Sequence, residues 1–186
     1  MLSRRALLGT GGFAVVLAAL AGCSEPGLEP DEGVPWSEWK KPTTAPITFS
    51  GTTTTGDTFK SRDYLGKVLV VNFWYAGCVP CRAEAPTLNT IAKGLPEAQF
   101  VGINISDDSA TAAGFERTHH NTYPSIVDQK QGASVQLAFA RARPPKAVPS
   151  TLVLDREGRV TARIVGQANE SVLRTLVRDA INGTAT

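Results

Sequence analysis

The 186-residue chain predicts a single α/β domain, a central mixed β-sheet flanked by helices, behind an export leader and a tether. Three observations carry that expectation. Two short apolar runs, residues 68–74 and 100–105, are rich in β-branched and aromatic residues and suit strands covered on both faces. Segments with helical apolar spacing follow each run, which is the alternation of a layered α/β fold. A Cys78-Val79-Pro80-Cys81 motif stands where the first run gives way to its helix. The length suits one compact domain, and a hydrophobic content of 42% supplies its core.

Residues 1–22 read as a lipoprotein-type signal peptide. Arg4 and Arg5 form a basic start, and residues 6–21 are apolar or small and uncharged. That run is short for a spanning helix, and Gly9, Gly11 and Gly12 weaken it further. It ends in Leu20-Ala21-Gly22-Cys23, which resembles the bacterial lipobox, so Cys23 is the expected lipidation site and mature N-terminus. Several acyl chains anchor a protein where one binds only marginally. Ser3-Arg4-Arg5-Ala6-Leu7-Leu8 also resembles a twin-arginine signal, and the export route stays open.

The formal charge of +2 suggests an anionic partner only until the leader is removed. Residues 1–22 contain two of the 19 basic residues and no acid, which leaves 17 basic against 17 acidic. A neutral mature domain offers no electrostatic reason for nucleic-acid binding. Residues 23–44 are rich in proline, glycine and acids and show no period, so they read as a lipid-anchored flexible linker with a reach on the order of 25 Å. Trp36 and Trp39 are its large apolar groups, free in principle to dock on the domain or to rest at the lipid surface.

The domain is expected over 45–186. Ile47-Thr48-Phe49 and Thr58-Phe59 flank a Thr/Gly-rich turn and read as an N-terminal β-hairpin. After the strand at 68–74, a helix is expected from about 80 to 93, with Pro86 bending it and Gly94 stopping it. A strand at 100–105, a helix near 109–119, a short strand at 125–127 and a helix at 131–140 come next. Residues 151–154 and 160–164 read as two strands joined by the turn Asp155-Arg156-Glu157-Gly158. Leu173, Leu176, Val177 and Ile181 give the last helix its apolar stripe.

The chemistry gathers at Cys78 and Cys81. Cys78 at a helix start faces unpaired backbone N–H groups and the positive end of the dipole, both of which stabilise a thiolate. Cys81, one turn on, is near enough to close a disulfide and is expected to lie deeper. Cys78 is therefore the expected nucleophile and Cys81 the resolving thiol. Half of a zinc site also uses C-x-x-C, but four ligands are needed and only His119 and His120 remain. Neighbouring helical positions point about 100° apart, so those histidines converge poorly. No metal and no cofactor is required. A purely structural disulfide fits the spacing, although the helix-start setting favours reactivity.

At this point a family likeness is specific. Asn72-Phe73-Trp74-Tyr75-Ala76-Gly77-Cys78-Val79-Pro80-Cys81-Arg82-Ala83-Glu84-Ala85-Pro86 resembles the active-site segment of the TlpA/ResA-like branch of the thioredoxin superfamily. Val148-Pro149-Ser150-Thr151 resembles its second signature, a cis-proline loop before a strand. The likeness implies a thioredoxin-like fold with a TlpA-type insertion near 106–146. It implies a redox-active Cys78–Cys81 disulfide with Pro149 beside it, and assigns Val148 and Trp74 to substrate binding. Glu84 resembles the active-site Glu of ResA-like proteins, where partial burial raises a carboxyl pKa and lets it exchange the proton of Cys81. Asn72 stands where thioredoxins commonly carry a titrating Asp. Gly77 is a departure, since many relatives have Trp there.

The implied function is an extracytoplasmic, membrane-anchored thiol–disulfide oxidoreductase, acting as a monomeric disulfide reductase on protein substrates such as apocytochrome c. Reduction in an oxidising compartment needs electrons from a membrane thiol–disulfide transporter. A general disulfide oxidase would use the same residues in reverse. A peroxidase lacks its Thr-x-x-Cys setting here, and a copper-delivery protein would need C-x-x-x-C.

Overall fold

A computed structural model describes residues 37–38, 45–129, 132–140 and 147–184. The leader, Cys23, Trp36, Trp39 and the basic stretch 141–146 lie outside the described residues. The elements in order are β1 (Ser37–Glu38), β2 (Ser50–Thr52), β3 (Thr58–Lys60), β4 (Val68–Trp74), α1 (Val79–Gly94), β5 (Ala98–Asn104), α2 (Ser109–His119), β6 (Ser125–Val127), α3 (Ser134–Ala140), β7 (Ser150–Leu154), β8 (Val160–Val165) and α4 (Glu170–Asn182). The main sheet runs β1-β8-β7-β4-β5-β6. β4 pairs parallel with β5 and antiparallel with β7, so the sheet is mixed as expected.

β4 is buried along its whole length because both faces are covered. Its side chains alternate between two cores. Val68 and Val70 join Leu88, Ile91, Leu173 and Val177 under α1 and α4. Leu69, Val71 and Phe73 face the opposite way, onto Phe49, Val135 and Phe139. The same alternation turns Asn72 toward α1, where it meets Glu84.

The helix ends follow local chemistry. Asn169 caps α4 by accepting from Ser171 and Val172 N–H, and Gly183 closes it at φ 72°. Asp108 caps α2 through Thr111 N–H. α3 is shorter than the sequence suggested, and its start is organised by buried Asp128, which accepts from Val135 and Gln136 N–H.

The N-terminal hairpin exists, but its first strand is displaced. The paired residues are Ser50–Thr52 with Thr58–Lys60, forming a separate two-stranded sheet. Ile47 and Phe49 are buried without joining that ladder. Ile47 N–H donates to Gly158 C=O at 2.8 Å, and Phe49 N–H to Ser61 Oγ at 2.9 Å. Their apolar spacing reports burial rather than strand pairing. Part of the stretch read as a tether also takes regular structure, since Ser37–Glu38 adds an antiparallel edge strand to β8.

Candidate active site

The site begins where β4 leaves the core. Cys78 is the N-cap residue of α1, in extended backbone geometry (φ −72°, ψ 111°), and Pro80 lies in the first turn, where a missing N–H costs nothing. Cys81 N–H donates to Cys78 Sγ at 3.1 Å. The sulfur thus occupies the place of a capping oxygen and faces the positive end of the helix. Cys78 and Cys81 form a disulfide with Cα atoms 5.2 Å apart. Cys78 and Cys81 are 3% and 2% exposed, so in the oxidised chain burial hardly ranks the two. The helix-start position of Cys78 does.

The connecting loop is held from both sides. Ala76 N–H donates to Asp107 Oδ2 at 2.6 Å, and Asn104 Nδ2 donates to the same oxygen at 2.7 Å. Arg82 Nε donates to Ala76 C=O at 2.8 Å. Ile105 N–H to Trp74 C=O and Cys78 N–H to Tyr75 C=O complete the frame. The two peptide units that flank the Ala76 Cα are therefore each held by a charged side chain, the first at its N–H by Asp107 and the second at its C=O by Arg82. Neither Asp107 nor Arg82 was singled out in the sequence. Asn104-Ile105-Ser106-Asp107 has the composition of a side-chain-stabilised turn, but nothing local names Ala76 as its partner.

Glu84 is fully buried on α1, one turn after Cys81. Its Oε1 accepts from Asn72 Nδ2 and its Oε2 from Ala168 N–H, each at 2.8 Å. Asn72 Nδ2 also donates to Thr151 Oγ1 at 3.0 Å, tying the carboxyl to β7. Burial pushes the Glu84 carboxyl up to about 7, against the two hydrogen bonds, which favour the ionised form. Desolvation outweighs them because the side chain has lost all contact with water.

Pro149 is buried, the Val148–Pro149 peptide is cis, and Val148 packs at the edge of the cluster holding Cys78, Cys81 and Trp74. The fold thus brings Cys78, Cys81, Trp74 and Val148 together, with Pro149 next to Val148. The expectation for Trp74 needs correcting in one respect. Its side chain is 3% exposed and lies against Phe115 at 4.3 Å between ring centroids, so it offers almost no surface to a substrate. It supports the disulfide from behind. His119, weighed in the sequence as a poor zinc ligand, is half-buried against Phe115. His120 is exposed and closes α2 in left-handed geometry at φ 55°. A capped, buried disulfide one helical turn before a carboxyl of elevated pKa is equipped for thiol–disulfide exchange.

Comparison with known proteins agrees. The Redoxin family model matches residues 40–177. The thiol:disulfide interchange protein DsbE of Pseudomonas fluorescens biotype C is 34% identical over 129 residues, 68% of this chain and 67% of that one. HelX, a thiol:disulfide interchange protein of Rhodobacter capsulatus, is 32% identical over 120 residues, 64% of each chain. Several relatives named thiol-disulfide oxidoreductase ResA match at 21% to 27% identity. The chain spans about two thirds or less of the length of the curated relatives it matches. Among solved structures, a thioredoxin-family thiol:disulfide interchange protein of Chlorobium tepidum superimposes with a TM-score of 0.67 at 29% identity, covering 76% of this chain and 97% of that one. With a family model spanning most of the domain and a DsbE- and ResA-like pattern of relatives, the chain belongs to the Redoxin family of the thioredoxin superfamily.

Proposed function

We propose that this chain is a thiol–disulfide oxidoreductase that works as a protein-disulfide reductase on the outer face of the bacterial cell membrane, anchored by lipid on Cys23. The observation that carries the redox assignment is the Cys78–Cys81 disulfide with Cys78 Sγ capping α1. In the reduced chain, the Cys78 thiolate attacks one sulfur of a substrate disulfide. That S–S bond breaks, a mixed disulfide forms, and one substrate thiolate leaves. Cys81 gives its proton to Glu84 and attacks Cys78 Sγ, which releases the second substrate thiolate and regenerates the Cys78–Cys81 bond. Two electrons pass from the cysteine pair to the substrate. The elevated Glu84 pKa suits this role, since a group near neutrality both accepts and returns a proton. A membrane thiol–disulfide transporter would supply the next two electrons. The substrate class we favour is a protein disulfide, such as the oxidised cysteine pair of apocytochrome c. Val148 backbone, next to Pro149, would receive the extended substrate segment.

The second reading is a general disulfide oxidase, which the same residues serve in reverse. A reduction potential measured against glutathione separates the two, with a value well below about −200 mV expected for a reductase and one near about −120 mV for an oxidase. The role of each cysteine is tested in the same assay. Cys78→Ser is expected to abolish disulfide reduction and Cys81→Ser to accumulate mixed disulfides. Wild-type turnover by Cys78→Ser would overturn the assignment of the nucleophile.

A further inference from the structure

We infer that Tyr75 is a specificity-determining residue for the protein substrate, forming an aromatic wall beside Cys78 over the bare backbone of Gly77. The inference rests on the thiol–disulfide reading of Cys78 and goes beyond it by naming the chemistry of the segment that docks.

The geometry is local and specific. A Cβ placed on Gly77 would lie 3.2 Å from Tyr75 Cε2 and 3.5 Å from Cδ2, so the Tyr75 ring already occupies the space beside the residue that precedes Cys78. That ring is half-buried and packs at the edge of the cluster containing Cys78 and Cys81. It therefore keeps one part in the protein and one part in solvent, as a contact surface must. Val148 packs against the same cluster and is also half-buried. Val79, on the other side of Cys78 in the chain, is 72% exposed, a large apolar side chain left in water next to the reactive sulfur. Tyr75 and Val148 thus put apolar surface at the edge of the disulfide's cluster, and Val79 adds more beside Cys78 in the chain.

The backbone that carries the ring is held before any substrate arrives. Asp107 accepts from Ala76 N–H, Arg82 donates to Ala76 C=O, and Tyr75 C=O accepts from Cys78 N–H at 3.2 Å. A preformed apolar wall favours a ligand with little ordering cost. The occupant is a segment carrying an apolar side chain next to its disulfide-bonded cysteine. A charged side chain there would lose hydration against the ring without gaining a partner.

The test uses the full chain, reduced, and its second-order rate constants with three disulfides. Two are synthetic peptides with one intramolecular disulfide, differing only in Leu or Asp beside the attacked cysteine. The third is 5,5′-dithiobis(2-nitrobenzoic acid). Wild type is expected to prefer the Leu peptide by roughly 10-fold, the discrimination an apolar contact supplies. Tyr75→Ala should bring that preference to within about twofold and leave the reduction potential unchanged, whereas Tyr75→Phe should keep it. An unchanged preference in Tyr75→Ala, or none in wild type, overturns the inference. Failure of the reduced wild type to react with any of the three disulfides would instead overturn the underlying redox reading.

Discussion

The side-chain amide of Asn72 donates to Oε1 of Glu84 at 2.8 Å, across the gap between β4 and α1. The two residues whose types set this sequence apart from thioredoxin are thus one hydrogen-bonded unit. Asn72 supplies a donor without a charge, so the carboxyl remains the ionisable member of the pair. Because the folded-state pKa of Glu84 is raised from 4.5 to about 7, the folded chain binds more protons than the unfolded chain between those values. The contribution of Glu84 to stability is therefore fully present below about pH 4.5 and is lost as pH rises toward and through about 7.

Glu84→Gln tests this linkage. The raised carboxyl should cost wild type about 3 kcal/mol between pH 4 and pH 8, and the variant should lack that loss. Gln also presents an amide N–H₂ to a site built from two donors, so it should be less stable than wild type at pH 4. Denaturant unfolding of both proteins at the two pH values is the measurement. The same variant should lower the apparent pKa of the reduced cysteine cluster, read by alkylation rate from about pH 5 to 10. Superimposable alkylation profiles would remove Glu84 from the proton route.

Asp107→Ala should loosen the loop before Cys78. It takes away the acceptor shared by Ala76 N–H and Asn104 Nδ2, and leaving such donors unsatisfied costs about 1–3 kcal/mol. Hydrogen exchange at the Ala76 amide should accelerate in Asp107→Ala and stay close to wild type in Asp107→Asn, which keeps an acceptor oxygen. Equal exchange in all three proteins would mean that the Asp107 contact does not hold the loop.

Gly102→Ala probes the packing behind Trp74. A Cβ there would collide with Ser125 Oγ and sit 2.6 Å from Trp74 Nε1, both of them buried. Overpacking of this kind costs about 1–3 kcal/mol. The expected result is a lower denaturation midpoint at unchanged m-value.

The anchor is tested by mass. Mature protein from a membrane fraction should begin at Cys23 and carry a lipid adduct. Release by salt alone at the unmodified peptide mass would exclude lipidation.

The sequence by itself determined the order of elements and the place of the redox pair. Period-2 and period-3.6 patterns are local, and so is the strand-to-helix junction that makes Cys78 a cap. The turn at Gly158 and the strand at Ser125–Val127 are likewise written within a few residues of where they act. Tertiary structure decided what each functional group touches. Glu84 finds Ala168 from 84 positions away, and Ala76 finds Asp107 from 31. Trp74 turned from an expected contact surface into a buried support because α2 lays Phe115 across it. Ile47 and Phe49 looked like a strand because burial and pairing leave the same apolar spacing, and their backbone partners were set by the distant Gly158 and Ser61. Local periodicity encodes which face of an element is buried, whereas the hydrogen-bond partner of a polar group depends on which elements pack around it.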